Sequence, residues 1–169
     1  MRALLVAALL FSQSRVRPED YCGVFGCPDD DESWSAVFDS MLRSSECAPG
    51  ANDAVNSRQS RFGCSVQLEG HDYLTDGLEV CRPVVFEGVG GCEGTCASRL
   101  LVTANRRGIR VPGWDTRRGN GCSWGKWHIG GGLTLERVEL ASLGGTSTAA
   151  VGIQTAGTIR LLNAVVSRS

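Results

Sequence analysis

The chain has 169 residues, of which 17 are lysine or arginine and 18 are aspartate or glutamate, giving a net charge of −1. This length fits one domain of ordinary size, and the near-neutral charge argues against nucleic acid or a membrane surface as the partner. Residues 1–98 hold 7 basic and 15 acidic side chains, net −8, whereas residues 99–169 hold 10 and 3, net +7. The near-zero net charge therefore conceals a strong charge asymmetry between residues 1–98 and residues 99–169.

The first residues have the pattern of a secretory signal peptide, predicted over residues 1–14. Arg2 gives a charged start, residues 3–11 are apolar, and the small residues Ser12 and Ser14 follow. This pattern predicts cleavage after Ser14 and a secreted or extracellular protein. A short buried N-terminal helix is the alternative. The apolar stretch is well below the ~20 residues that a membrane span needs, so we expect no membrane span.

The cysteine content fits an exported chain. There are eight cysteines, and in an oxidising compartment an even number is expected to pair. Their spacing favours Cys22–Cys27 and Cys92–Cys96 as short-loop disulfides. In a reduced compartment the second pair would suit zinc, together with His128 or Cys122, although zinc sites more often combine two close cysteine pairs. We predict disulfides and no metal. The eight residues are Cys22, Cys27, Cys47, Cys64, Cys81, Cys92, Cys96 and Cys122.

The region before the predicted strands divides into a leader and a helix. Residues 15–28 hold two prolines and two cysteines and predict an irregular, cysteine-containing leader. Over residues 31–45 the spacing predicts one amphipathic helix. The acidic run 29–32 supplies an N-cap and negative charge at the positive end of the helix dipole. Calcium is a second use for these carboxylates, but no clear site supports it and no cofactor is expected. The predicted apolar stripe consists of Trp34, Val37, Phe38, Met41 and Leu42.

Residues 46–63 are polar and predict a surface loop with Cys47 and Cys64 at its ends. Beyond Cys64 the apolar residues alternate in short stretches that glycine and proline separate, which predicts short strands. The apolar positions are Val66, Leu68, Tyr73, Leu78, Val80, Val84 and Phe86.

The strand pattern repeats along the chain. Residues 132–140 align with residues 158–166 at an offset of 26, and Val84, Phe86 and Val89 fit the same template at an offset of 49. Short strands with such a period predict a solenoid, in which each coil buries its apolar residues on the next. An antiparallel sandwich is the alternative, but the chain has only one Asn-Gly and one Asp-Gly dipeptide for hairpin turns. The aligned pairs are Leu133 with Ile159, Leu135 with Leu161, Val138 with Ala164 and Leu140 with Val166.

This order of features resembles a known family. An acidic cluster, an amphipathic helix and a polar loop precede residues 66–74 (VQLEGHDYL), 78–80 (LEV) and 84–91 (VVFEGVGG). From about residue 29 to residue 169, the chain is similar to the opening of the pectate-lyase-like right-handed parallel β-helix superfamily. The resemblance implies an all-β fold, a right-handed single-stranded parallel β-helix whose N-terminal end the helix caps. Gly70-His71-Asp72 departs from the family, which usually has a proline-glycine turn before the tyrosine.

The resemblance also implies a partner. The family acts mostly on polysaccharides, as lyases, hydrolases, epimerases and phage tailspikes, so the expected partner is a polysaccharide or cell-surface glycan. Hydrolysis needs two carboxylates roughly 5–10 Å apart, and the only acids in residues 99–169 are Asp115, Glu136 and Glu139. Arginine keeps its proton and is a poor base. We expect carbohydrate binding, leave catalytic residues and enzymatic activity open, and keep a non-catalytic structural or adhesion protein as the alternative.

The candidate binding site lies in an insertion from Pro112 to Gly131, between two strands. It holds three of the four tryptophans, and flat aromatic faces beside charged hydrogen-bonding groups suit sugar rings. The alternative is that the insertion packs its indoles on the solenoid flank, pinned by Cys122. The candidate carbohydrate-binding residues are Trp114, Asp115, Arg117, Arg118, Trp124, Lys126, Trp127 and His128.

Two further expectations concern the C-terminal end of the chain and the charge of residues 99–169. The sequence stops at Ser169 directly after an apolar alternation, and solenoids need terminal caps. Truncation of a longer β-helix at its C-terminus is therefore expected, with a partner subunit as the alternative cover. An exposed basic face in residues 99–169 would favour acidic over neutral polysaccharide, whereas pairing with the acidic half would remove that preference.

Overall fold

The computed structural model describes residues 14–24, 26–29, 31–47, 63–103, 108–111, 131–143, 153–155 and 157–168. Within these residues the structure is built of β-strands with one 3₁₀-helix and one α-helix, which confirms the all-β class. The helices are η1 (Pro18–Tyr21) and α1 (Ser35–Leu42). The strands are β1 (Ser14–Val16), β2 (Cys64–Gln67), β3 (Asp72–Thr75), β4 (Gly77–Glu79), β5 (Pro83–Glu87), β6 (Ser98–Thr103), β7 (Gly108–Val111), β8 (Gly132–Glu136), β9 (Val138–Leu143), β10 (Ile153–Thr155), β11 (Thr158–Leu162) and β12 (Val165–Arg168).

The strands form three parallel sheets. Sheet A has the order β1-β2-β5-β8-β11, sheet B the order β3-β6-β9-β12, and sheet C the order β4-β7-β10. From β2 onward the chain visits the sheets in the same sequence each time, so every strand from β5 onward pairs with the one three strands before it. We call β2–β4 rung 1, β5–β7 rung 2, β8–β10 rung 3 and β11–β12 rung 4.

The predicted repeat sets the register of sheet A. β8 pairs with β11 so that Leu133 lies beside Ile159 and Leu135 beside Leu161, which confirms the offset of 26. β5 pairs with β8 so that Phe86 lies beside Leu135, which confirms the offset of 49. Because side chains alternate across a strand, these residues share one face, and Phe86 and Leu135 are fully buried there.

The template is wrong at Val89, which the offset of 49 placed over Val138. Val138 lies instead beside Ser98, at an offset of 40, and Val89 is 47% exposed. Between β5 and β6 the chain makes an excursion closed by the disulfide Cys92–Cys96. This excursion lengthens rung 2 before the chain enters sheet B, so one fixed period does not describe both sheets.

The apolar stripe of α1 is confirmed. Trp34, Val37, Phe38, Met41 and Leu42 are all buried, although the helix is shorter than the predicted 31–45. The stripe packs on aromatic residues of the first two rungs. The ring centroids of Trp34 and Tyr73 are 4.9 Å apart, and those of Phe38 and Phe86 are 5.8 Å apart.

The predicted acidic N-cap is wrong. The N-cap position is Trp34, without a side-chain capping bond, and the first turn contains no acidic residue. Glu32 turns back instead and accepts a hydrogen bond from the backbone N–H of Asp29. The helix starts late because the backbone N–H of Trp34 donates to the carbonyl of Leu74, 2.7 Å away. That tertiary bond, rather than local charge, sets where the helix begins.

The predicted leader, 15–28, is more regular than expected. Its start belongs to β1, which pairs with β2 so that Val16 lies beside Val66, and η1 follows. Of the predicted signal peptide, only Ser14 lies within the described residues. The leader therefore adds a strand to sheet A beside rung 1.

The disulfides follow the short-loop prediction. Cys22–Cys27 and Cys92–Cys96 are both formed, and Cys47–Cys64 joins the two ends of the predicted surface loop. Cys81 is disulfide-bonded as well. The zinc alternative requires free thiolates at Cys92–Cys96, which the disulfide removes.

Candidate functional site

The predicted carbohydrate-binding residues lie outside the described residues. The structure describes where their segment leaves and rejoins the fold: it leaves after Val111, the end of β7, and rejoins at Gly131, just before β8. The segment thus connects rung 2 to rung 3. The predicted residues that fall outside the description are Trp114, Asp115, Arg117, Arg118, Trp124, Lys126, Trp127 and His128.

Both ends of this segment meet at Val80. The backbone N–H of Val80 donates to the carbonyl of Arg110, 2.8 Å away. A side chain on Gly131 would place its Cβ 1.9 Å from the carbonyl oxygen of Val80 and 2.8 Å from a methyl of Val111. Glycine is therefore required where the chain returns. The insertion begins and ends at one place on the fold, beside the disulfide-bonded Cys81.

Charged groups, partly buried, lie at this place. The Arg110 guanidinium lies 2.5 Å from the carboxylate of Glu79. Arg82, two residues after Val80, is buried, and burial lowers the pKa of its guanidinium. Arginine's ordinary pKa lies above ~12, so the group keeps its charge.

Three described arginines of the basic half are paired with acids. Arg99 contacts Asp72 at 2.9 Å, Arg110 contacts Glu79, and Arg137 contacts the neighbouring Glu136 at 3.4 Å. Two of these pairs join the basic half to the acidic half. The strand faces of the described residues therefore give no preference for acidic over neutral polysaccharide, and such a preference rests on the cations outside the described residues alone. Most of the remaining positive charge belongs to residues 104–107 and 112–130, namely Arg106, Arg107, Arg117, Arg118 and Lys126.

The described acids of the basic half serve the strand structure. Glu139 is buried and accepts hydrogen bonds from the backbone N–H of Cys96 at 3.3 Å and the hydroxyl of Ser167 at 2.7 Å. It thereby ties the 88–97 excursion and β12 to β9. Glu136 lies beside Arg137 at the end of β8. Glu87 of β5 lies beside Glu136 in the register of sheet A, but Ser65 and Gln67 donate hydrogen bonds to Glu87, so the described contacts engage these carboxylates in the strand structure.

Sequence reasoning missed a cluster of Glu19, Glu69, His71 and Tyr73. Glu19 lies on η1, Glu69 and His71 lie in the turn between β2 and β3, and Tyr73 lies on β3. The buried Tyr73 hydroxyl donates to Glu19 Oε1 at 2.6 Å and accepts from the backbone N–H of Glu69 at 2.9 Å. Tyr73 therefore holds the carboxylate of η1 against the turn.

His71 completes this cluster. Its Nε2 lies 3.5 Å from Glu19 Oε1, and its Nδ1 lies 3.0 Å from the carbonyl oxygen of Asp72. Its ring centroid is 4.1 Å from that of Tyr73 and 5.7 Å from that of Trp34. The imidazole is thus packed on two aromatic rings with one nitrogen directed at a carboxylate.

The Tyr73 hydroxyl is a permanent donor to this cluster. Burial, followed by the hydrogen bond to Glu19, raises the pKa of Tyr73 above its usual value of 10.0. The hydroxyl therefore keeps its proton at physiological pH and always presents it to Glu19. Arg17 adds an ion pair with Glu69 at the outer edge.

The one sequence signal for this cluster was the departure of Gly70-His71-Asp72 from the family's proline-glycine turn. Glu19 is 52 residues away along the chain from His71, and pairing of β1 with β2 is what brings its segment to the turn. A pattern within a short stretch of sequence cannot predict the pairing of strands that lie so far apart along the chain.

No protein-family model, curated protein or solved structure matches this chain. Among the described residues, no helix has the length and apolar character of a membrane span.

Proposed function

We propose that the chain is a secreted right-handed parallel β-helix of the pectate-lyase-like superfamily, and that it binds acidic polysaccharide through the insertion over residues 112–130. Three observations support the fold: every sheet is parallel, the chain visits the sheets in a fixed order, and α1 packs on the first two rungs. The disulfides agree with secretion, because such bonds persist in oxidising compartments.

One contrast carries the binding proposal. Trp34, the one tryptophan outside the insertion, is buried in the core, and Arg99, Arg110 and Arg137 are paired with acids. The other three tryptophans and three further cations occur together in the single segment that leaves the strand repeat between β7 and β8. This division favours a ligand role for the insertion, because three tryptophans and three cations in one segment are the residue types that bind acidic sugars.

The residue types in the insertion match an acidic sugar. The indole faces of Trp114, Trp124 and Trp127 suit stacking on pyranose rings. Guanidinium groups form paired hydrogen bonds with carboxylates and stay charged at all physiological pH values, which assigns uronate recognition to Arg117 and Arg118. The remaining predicted residues supply hydrogen bonds around the ring; they are Asp115, Lys126 and His128.

The proposal is tested by affinity electrophoresis of the folded protein in gels that contain polygalacturonate, alginate or neutral dextran. Wild type should be retarded by at least one acidic polymer and not by dextran. Trp124→Ala with Trp127→Ala, and separately Arg117→Ala with Arg118→Ala, should abolish the retardation. The matched control, Arg43→Ala with Arg160→Ala, removes the same charge from outside the insertion and should leave it intact. Equal retardation of all variants with intact folding would contradict the proposal.

The bonds of Glu136 and Glu139 favour a second candidate, a non-catalytic structural or adhesion protein. Both carboxylates take part in contacts that hold the strands. Incubation with polygalacturonate or alginate, followed by ultraviolet absorbance of unsaturated products, separates this role from a lyase. Absence of unsaturated product and of new reducing ends, with continued glycan retention, supports adhesion, and formation of either product contradicts it.

A further inference from the structure

We propose that Glu19, Glu69 and His71 form a binding site for a divalent transition metal, for which zinc is the probe. This site is independent of the insertion and of glycan binding. The three side chains bring one ligand atom each to within 4.8 Å of one another. One histidine nitrogen and two carboxylate oxygens form a donor set that such ions accept, with a position left open.

The spacing of the inner two ligands suits a small ion. Glu19 Oε1 and His71 Nε2 are 3.5 Å apart. Ligands at the zinc distances of about 2.0–2.1 Å in tetrahedral geometry lie roughly 3.3 Å from each other. An ion therefore fits between these two atoms with little movement of either side chain, and Glu69 reaches it from the exposed side.

The hydrogen bond at the other nitrogen of His71 prepares the ring for this role. Nδ1 lies 3.0 Å from the carbonyl oxygen of Asp72, an acceptor that requires a proton on Nδ1. In the neutral imidazole Nε2 then carries a lone pair, and it faces a carboxylate oxygen that is also an acceptor. Histidine ligands commonly donate their second N–H to a backbone carbonyl in this way. A cation placed between the two acceptors gives each a partner.

The second oxygen of Glu19 points to the same conclusion. Within the described residues, Glu19 Oε2 is buried and has no hydrogen-bond partner. Its nearest charged partner is Arg17, whose Nε lies 4.0 Å away and forms an ion pair without a hydrogen bond, and a buried carboxylate oxygen without a hydrogen bond is unfavourable. Tyr73 holds Oε1 in place, so an ion bound by this carboxylate would satisfy its oxygens without a change of side-chain position.

Replacement of Arg17 tests the proposed site, because the direction of its effect on metal affinity follows from the charge. Its guanidinium pairs with Glu69 and its Nε lies 4.0 Å from Glu19 Oε2. A positive charge at this distance opposes a bound cation, so replacement of Arg17 should strengthen metal binding. If the cluster served only as a salt-bridge network, the same replacement would leave metal affinity unchanged.

The experiment is isothermal titration of zinc chloride into the full chain at pH 7.5 after treatment with a chelator. We expect one zinc ion per chain. His71→Gln and Glu19→Gln should each weaken binding at least tenfold, Arg17→Met should strengthen it several-fold, and His128→Gln, the matched histidine control, should leave it unchanged. Calcium chloride should not replace zinc, because calcium prefers six to eight oxygen ligands.

Three results would overturn the proposal. The first is that wild type binds no zinc, and the second is that His71→Gln binds zinc as tightly as wild type. The third is that Arg17→Met does not strengthen binding. A folding check separates loss of the site from loss of the structure: Tyr73 near-ultraviolet dichroism and thermal unfolding without metal should match wild type in His71→Gln. If that variant is unfolded, His71→Asn provides the second measurement, and zinc affinity equal to wild type in it would also overturn the proposal.

Discussion

Residues that pair in register on neighbouring strands are buried in rungs 2 and 3 but exposed in rung 4. In sheet A, Phe86 of rung 2 and Leu135 of rung 3 are fully buried, whereas Leu161 of rung 4 is 48% exposed. In sheet B, Leu140 is fully buried and Val166, its partner in rung 4, is 52% exposed. The residue types are alike, so the difference shows that the neighbouring rung, rather than the residue's own strand, provides burial.

The first rungs have such neighbours on both sides. Val16 of β1 lies beside Val66, and Phe38 of α1 packs on Phe86 and Tyr73. Repeat structures bury their apolar residues only where another layer or a covering element lies against them. The predictions below use this contrast between the first rungs and rung 4.

The largest expected effect is the loss of a buried ring. Phe86→Ala should lower the free energy of unfolding by about 3–5 kcal/mol, because it leaves a cavity between α1 and rung 2. Leu161→Ala, at the same ladder position, should cost less than about 1 kcal/mol because half of the side chain is already exposed. Urea unfolding followed by circular dichroism measures both. Equal costs for the two variants would refute the stacking argument.

The sequence predicted this ladder because its register repeats in the residues themselves. Leu133 and Leu135 recur as Ile159 and Leu161, and parallel pairing preserves that spacing. Val89 was misplaced because a disulfide-closed excursion changes the length of one coil. The start of α1 was misplaced because the bond from Trp34 to Leu74 is tertiary. Local patterns thus predict which residues face the core better than they predict where an element begins.

The second effect compares two of the disulfides, Cys47–Cys64 and Cys92–Cys96, which close loops of different length. Replacing Cys47 and Cys64 by alanine should cost about 3 kcal/mol, because the bond closes a loop with a sequence separation of 17. Replacing Cys92 and Cys96, with a separation of 4, should cost about 2 kcal/mol, since a shorter loop restricts the unfolded chain less. Thermal unfolding compares the pairs. A larger cost for the second pair would show that the 88–97 excursion, rather than the first rung, is the critical element.

The third effect tests the bond between η1 and rung 1. Tyr73→Phe removes the hydroxyl that bridges Glu19 and the backbone of Glu69, and the loss of these part-buried hydrogen bonds should cost about 1 kcal/mol. Tyr21→Phe is the matched control, since its hydroxyl contacts Ser44 and Glu46 nearer the surface. We expect the control to cost less in urea unfolding, and the reverse order would contradict the assigned role of Tyr73.

The smallest effect is a pH dependence on the outer face of sheet A. The hydrogen bond from Gln67, then that from Ser65, then the positive charges of Arg15 and Arg137 lower the pKa of Glu87 below its usual value of 4.5. A lowered folded-state pKa gives stability that is present above 4.5 and is lost as the pH falls through the folded value.

Glu87→Gln should therefore reduce stability at pH 7 slightly and flatten its decline below about pH 4.5, measured by thermal unfolding across pH. Glu136→Gln is the matched variant, because Glu136 lies beside Glu87 one rung further on. That variant should retain the decline. If Glu136→Gln flattens the curve and Glu87→Gln does not, Glu87 is not the source of this pH dependence.

The two candidate sites differ in what the sequence makes visible. The tryptophans and cations of 112–130 stand out because they cluster in one segment that breaks the strand pattern. The Glu19 and His71 pair does not, because its members come together only when β1 joins β2. Clusters made by long-range pairing require the structure, whereas clusters within one segment do not.

The most direct test of the central claim is the tryptophan fluorescence of Trp34→Phe, in which only the three tryptophans of the insertion report. Titration with oligogalacturonate should shift and saturate the emission and protect it from iodide quenching, and neutral dextran oligomers should have no effect. The same titration of the variant that also carries Arg117→Ala and Arg118→Ala should be flat. An emission that oligogalacturonate and alginate oligomers both leave unchanged, in a protein whose circular dichroism matches wild type, would contradict acidic-glycan binding by the insertion.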